Sequence, residues 1–254
     1  QTWKLQKPFK LELKNLDQIT VSPLCYSYLD STLCAQKNLR ASADAATPVQ
    51  LAASNLNLAW LQPWLPNDAV VHGTADLDAI IQLLPNLTIQ ASASSENSHI
   101  VLFHNTAQSM TLDLNHAELS ANLAQDTLAF KWLLQSNIGN SNGKLRLQEE
   151  QLSGEVLVDN FIVSPFSHWL LVDEGDHLQG TLSGDFNLGG TLASPTLSGK
   201  ASLVQGEIHT AMLPLPITDI SINLTTEQRI AYLEGRFLVG NKPGQLKGTF
   251  NWQQ

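Results

Sequence analysis

Alternation of apolar and polar residues at a period of two runs through most of this chain and commits it to β-structure. Phe9, Leu11 and Leu13 alternate with Lys10, Glu12 and Lys14, and Ile19 with Val21 continues the pattern. The same spacing recurs in Met110/Leu112/Leu114, Leu128/Phe130, Leu145/Leu147, Val156/Val158, Ile220/Ile222/Leu224, Phe237/Val239 and Phe250/Trp252. Successive side chains of a strand point to opposite faces, so each run has one apolar and one polar face. The polar faces carry Ser, Thr, Asn and Gln more than charges. Gly, Asn, Asp or Pro bound most runs, and Asn142-Gly143, Gly189-Gly190 and Pro243-Gly244 read as turns.

With 43% hydrophobic and 15% charged residues, the chain lies far from the composition of disorder. Its 254 residues suffice for one large all-β unit or two ordinary domains. A net charge of −9, with 14 dispersed Lys and Arg, excludes nucleic acid as a partner, because phosphate binding needs clustered cations. No run approaches the roughly 18 apolar residues of a membrane helix. The chain opens on Gln1 without a Met, and Phe250-Asn251-Trp252 reads like a strand cut short, so a fragment of something longer is expected.

Two segments depart from the alternation. Leu58–Leu65 and Ser164–Leu171 carry apolar residues three or four apart and predict short helices, with Trp64 and Trp169 as their core anchors. They also reveal an internal repeat, 55–92 and 160–202. Asn55, Leu56, Leu58, Leu61, Trp64 and Leu65 align with Asn160, Phe161, Val163, Phe166, Trp169 and Leu170 at an offset of 105. Gly73-Thr74 aligns with Gly180-Thr181 at 107, and Pro85, Leu87, Ala91 and Ser92 with Pro195, Leu197, Ala201 and Ser202 at 110. Repeats of this kind stack and share one core. The expected architecture is a single elongated antiparallel sheet over 1–254, curled so that its apolar face points inward, with the two short helices at a rim.

Cys25 and Cys34 flank a polar tip, Tyr28–Thr32, that would bring two strands together. A structural disulfide is the expected reading, a reduced, inert pair is the alternative, and redox chemistry is disfavoured because no CxxC is present; a bridge would place the chain in an oxidising compartment. The remaining chemistry is sparse, and no cofactor is expected. His72, His99, His104, His116, His168, His177 and His209 are scattered. The nearest constellation, His168 with Asp173, Asp176 and His177, is irregularly spaced and reads as a solvated loop rather than a metal site. No Gly-x-Ser-x-Gly elbow, P-loop or dinucleotide fingerprint occurs, and Asp185 has no second carboxylate near it. The chain reads as a non-enzyme.

The block from Gly180-Thr-Leu-Ser-Gly-Asp-Phe-Asn-Leu-Gly-Gly-Thr-Leu-Ala-Ser-Pro-Thr-Leu-Ser-Gly through Ile208, with Leu213-Pro214-Leu215 and Thr218-Asp219-Ile220, resembles the TamB family within the broader AsmA-like group. Leu24-Cys25 through Leu33-Cys34, and Leu56 through Pro66, resemble that family's middle-to-late region. The similar blocks cover about 20–80 and 155–225, and Ile100–Glu150 matches only as alternating strand. The resemblance implies a β-taco, a long sheet rolled around an apolar groove, in a periplasmic protein anchored in the inner membrane by an N-terminal helix. It also implies movement of phospholipid to the outer membrane, and partnership with the outer-membrane barrel protein TamA in protein assembly.

Three functions follow for such a sheet. In the first, the apolar face is a groove for acyl chains. Its lining by alternation parity is Leu112, Leu114, Leu128, Phe130, Val156, Val158, Leu182, Phe186, Ile220, Ile222, Leu224, Phe237 and Val239. Roughly 16 strands at about 4.8 Å would make a trough of about 75 Å. In the second, an edge strand, Leu5–Leu13 or Leu246–Trp252, adds an incoming strand, making the chain a scaffold. The third is a closed, dry β-helix or sandwich serving as a surface-exposed adhesin or polysaccharide enzyme, and the missing carboxylate clusters and aromatic platforms weigh against the enzyme version.

Overall fold

A computed structural model describes residues 2–14, 18–41, 47–83, 86–103, 109–167, 171 and 176–252. Pro85, His104, His168, Trp169, Leu170 and Asp173 lie outside the described residues. The described chain is antiparallel β-sheet. A small sheet of three strands joins β2 (Leu11–Lys14), β3 (Gln18–Val21) and β6 (Leu39–Ala41) in the order β2-β3-β6. The main sheet has 16 strands. It starts with β1 (Lys4–Leu5), β4 (Leu24–Tyr28), β5 (Ser31–Ala35), β7 (Val49–Asn57), β8 (Ala69–His72) and β9 (Thr74–Gln82). Its middle holds β10 (Thr88–Phe103), β11 (Ser109–Ala124), β12 (Thr127–Ser136), β13 (Gly139–Gln148) and β14 (Gln151–Ile162). It closes with β15 (His177–Thr191), β16 (Ser194–His209), β17 (Ile217–Glu227), β18 (Ile230–Val239) and β19 (Lys242–Asn251). From β9 onward every strand pairs with the next in sequence, and β8 lies beside β9 along β10. Neither outer strand pairs with the other, so the sheet is an open, curled meander.

One run expected as a strand is divided. Leu5–Leu13 splits between β1 in the main sheet and β2 in the small one, because Pro8 has no amide to contribute to a ladder. The glycine pairs expected at turns also lie elsewhere. Asn142-Gly143, Gly189-Gly190 and Pro243-Gly244 fall within β13, β15 and β19, and the chain reverses at Asn137-Ile138, Leu192-Ala193 and Gly240-Asn241.

The bend of the strands has a local cause. Asn55, Asn97, Asn160, Gln205 and Asp219 have φ between 49° and 54°, a left-handed conformation that Asn tolerates best. Ladder registers shift beside Asn55, Asn160, Gln205 and Asp219, and between Leu114 and His116 in β11. Each such bulge adds one residue to its strand and bends it. The amides freed at two of them are capped from the next strand: Asn55 N–H donates to Asp76 Oδ1 at 2.8 Å, and Asn160 N–H to Ser183 Oγ at 3.0 Å. All of these bulges lie toward one rim, where the strands bend together.

That rim also carries the first expected helix as the 3₁₀ segment Leu58–Trp64, and the start of the second as the 3₁₀ segment Ser164–Phe166. Asn57 caps the first by accepting the Ala59 amide at 2.9 Å. Each is tied down alike: Leu58 N–H donates to Gly73 O at 3.0 Å, and Val163 N–H to Gly180 O at 3.1 Å. Trp64 is not a core anchor. It is 78% exposed, while Trp60 packs on Trp3 at 5.3 Å and Tyr28 at 6.2 Å. A 3₁₀ segment has three residues per turn, so residues four apart point about 120° away from each other.

Candidate functional site: the apolar face of the sheet

Directly opposed residues of neighbouring strands share a face, so the ladder registers trace one face across the sheet. One row runs Ala91–Ala121–Phe130–Leu145–Gly154–Leu188–Leu197. A second runs Ala93–Leu119–Trp132–Gly143–Val156–Phe186–Gly199. Further on, Leu182 stands opposite Leu203, Leu203 opposite Ile222, and Ala201 opposite Leu224. From β9 to β18 this face bears no charged side chain among the described residues. The charges stand on the other face, as in the row Asp76–Ser94–Glu118–Leu133–Asn142–Leu157–Asp185–Lys200.

Every lining residue named from the sequence lies on the apolar face. Leu112 and Leu114 stand opposite Ile100 and Ser98, Leu128 opposite Leu147, Val158 opposite Ser141, and Phe237 and Val239 opposite Gly244 and Lys242. Ile220 is buried beside Gly206, while Leu128 remains 44% exposed. The same face also includes Trp132, Leu134 and Leu203, which continue the alternation, and Phe161, Ile208 and Ile217, which lie beyond bulges where plain alternation does not reach. A bulge switches the parity of everything beyond it, so counting by twos loses the face at Asn160 and Gln205.

The face is apolar yet uncovered. The chain exposes 16601 Å², against roughly 11,000 Å² for a compact protein of this mass. Apart from the 3₁₀ segments at the rim, no described element packs over the sheet. The apolar side chains are mostly half-buried by their neighbours on the inside of the curl, and the polar side chains opposite are exposed, as β13 and β14 show residue by residue.

The surface of the face is low in relief. A Cβ at Gly143 would lie 2.3 Å from the Trp132 ring, and one at Gly244 2.4 Å from the Phe237 ring, so each ring lies flat over the glycine of the next strand. Two polar groups on this face are satisfied within it: Trp132 Nε1 donates to Ser141 Oγ at 3.1 Å, and Ser95 Oγ to Thr74 O at 2.7 Å, while the buried Ser98 Oγ has no hydrogen-bond partner among the described residues. The arrangement can hold long apolar groups without directional contacts. The polar face has shallow depressions, one of about 430 Å³ between Asp76, Asp78, Glu118 and Lys131, whose charges suit water and ions rather than hydrocarbon.

Cys25 and Cys34 face each other in the β4–β5 hairpin and form a disulfide, so the bridged reading holds. Of the suspected loop constellation, Asp176 is buried and accepts the Ala211 amide at 2.9 Å, and His177 stacks on His209. Among the described residues no three metal-ligating side chains converge. No described helix is long and apolar enough to cross a membrane.

The sequence model for the TamB N-terminal domain matches residues 1–203. The chain belongs to the TamB family. The match is to the family's N-terminal domain rather than its middle-to-late region, and it takes in the 100–150 stretch that had read as generic strand. Among relatives, the translocation and assembly module subunit TamB of Haemophilus influenzae is 21% identical over 241 residues, covering 92% of this chain. The chain spans 18% of that relative's length. No solved structure matches.

Proposed function

We propose that this TamB-family segment is a periplasmic stretch of lipid conduit, holding phospholipid acyl chains on its apolar face between the inner and outer membranes. The observation that supports it is an apolar face, free of charged side chains from β9 to β18 among the described residues, that no described layer covers. Removing a methylene from water is worth roughly 0.8 kcal/mol, so an acyl chain gains along the whole face without a fixed polar contact. Transport needs this evenness, because a deep local site would be a trap. The chemistry requires no catalytic residue, cofactor or metal. The disulfide supports an oxidising compartment, and the family supports a longer protein anchored in the inner membrane.

The test is transfer of a fluorescent phospholipid between vesicles by the chain, with and without Ile222→Asp or Leu114→Arg. Each variant places a charge on the apolar face and should cut transfer at least tenfold while the β-sheet circular dichroism is kept. A folded variant that transfers lipid at the wild-type rate would refute the conduit.

One feature favours a second reading. β19 presents an outer edge of ten residues, Lys242–Asn251, with β18 on its other side only. Such an edge can add a strand, and in this reading the segment is a scaffold for outer-membrane protein assembly with the barrel partner TamA. A proline at Lys247 should abolish strand addition and leave lipid transfer intact, which separates the two.

A further inference from the structure

The conduit leaves one residue type unused. Four histidines form two cross-strand pairs. His72 in β8 stands opposite His99 in β10 with ring centroids 4.9 Å apart and planes at 27°. His177 in β15 stands opposite His209 in β16 with centroids 4.9 Å apart and planes at 30°. Both pairs are on the polar face, since their neighbours Val71 and Ile100, and Leu178 and Ile208, belong to the apolar one. Each pair follows one of the 3₁₀ segments, at the same rim.

We propose that each histidine pair is a binding site for a divalent transition-metal ion, held by one nitrogen from each imidazole and completed by water. Two imidazoles at about 2.0–2.1 Å from one ion, about 90–110° apart, have ring centres about 4.5–5.2 Å from each other. The observed 4.9 Å lies within that range in both pairs. The ladder fixes the two Cβ positions, so an ion is reached by rotation of the rings. Imidazole pairs suit copper, nickel and zinc rather than calcium or magnesium.

The surroundings favour a cation. Asp113 in β11 stands opposite His99 on the other side of β10, and its Oδ2 accepts from Asn137 Nδ2 at 3.2 Å. Glu207, opposite Gln179, shares the polar face with His209. Ligand carboxylates and their neighbours are commonly held by such hydrogen bonds. With two protein nitrogens per ion, the sites are open and exchangeable. An ion at the first would also join β8 to β10, where four residues of ladder, Ala69–His72, now hold it.

The probe is Cu²⁺, the tightest of the first-row divalent ions for nitrogen sites. Calorimetry on the full chain at neutral pH should give two ions per chain, and electron paramagnetic resonance should show two nitrogen ligands for each. His99→Gln and His209→Gln should each remove one ion, and the double variant should weaken binding of both at least tenfold with its circular dichroism unchanged. Undiminished binding in the double variant would overturn the proposal. A spectrum showing a single imidazole per ion in the wild-type chain would overturn it without any variant.

Discussion

Gly143 and Gly244 show what the face demands of single residues. Both lie within strands, where glycine is ordinarily unfavourable, and in both a neighbouring aromatic ring fills the missing side chain's place. Gly143→Val should therefore destabilise the chain by about 1–3 kcal/mol in urea unfolding, although valine prefers strands. At Gly248 the nearest atom to an added Cβ is Leu233 Cβ at 4.0 Å, so Gly248→Val should be neutral or mildly stabilising in the same measurement. Equal losses at both positions would contradict the ring-over-glycine account. On the polar face, Glu96 Oε1 lies 2.5 Å from His116 Nδ1 and Glu118 Oε1 lies 3.0 Å from Nε2. The hydrogen bond to Glu96 contributes most to holding the imidazole above its usual 6.5, against a smaller opposing effect of desolvation. A raised folded value means stability that is present below the unfolded value and lost as pH rises through the folded one. Thermal melts should show a small decline across that window, and His116→Gln should flatten it. The alternation made the polar and apolar residues of each run legible, but Asn55, Asn97 and Asn160 carry no mark that separates a bulge from an ordinary polar position. Asn142-Gly143 misled for a related reason: a glycine that makes room for a ring looks the same as one that turns the chain.

At the scale of elements, the β4–β5 hairpin is the best-defined local unit. Its bridge closes a loop with a sequence separation of 9, which removes disorder from the unfolded chain. Cys25→Ser with Cys34→Ser should cost roughly 2–3 kcal/mol by loop entropy. The cost should fall on the part of the sheet around β4, β5 and β7, measurable as faster amide exchange there than in β12–β14. Mass spectrometry of the unreduced chain should show it about 2 Da lighter than its reduced form. This hairpin was legible because a polar tip sits between two short β-prone runs with a cysteine in each. The 3₁₀ segments were legible as interruptions but not in their facing. Spacings of three and four fit several helical geometries, and only the packing of Trp60 against Trp3 and Tyr28 decides which tryptophan is inside. The two segments nevertheless share their tethers. A left-handed Asn precedes each, and a glycine carbonyl after each accepts the amide of its start.

For the whole molecule, the deciding property is the lack of a second layer among the described residues. A sheet this wide with one apolar face would ordinarily bury it against another sheet or helices. Here the face is half-shielded by curl alone, and the surface exceeds that of a compact protein of the same mass by about half. Exposed apolar surface on this scale has a use or is a liability. The absence of charge from β9 to β18 among the described residues suits the use proposed above. The all-β architecture was readable from alternation, because so many amphipathic runs with so few helical segments call for extended sheet. That the face stays uncovered was not readable, since the same pattern serves a closed sandwich. The most direct measurement is native mass spectrometry of the purified chain, followed by organic extraction and lipid identification. Bound phospholipid in the wild-type chain, lost in folded Leu114→Arg, is the predicted result. A folded wild-type chain that carries no lipid from the cell and takes up none from vesicles would contradict the central claim.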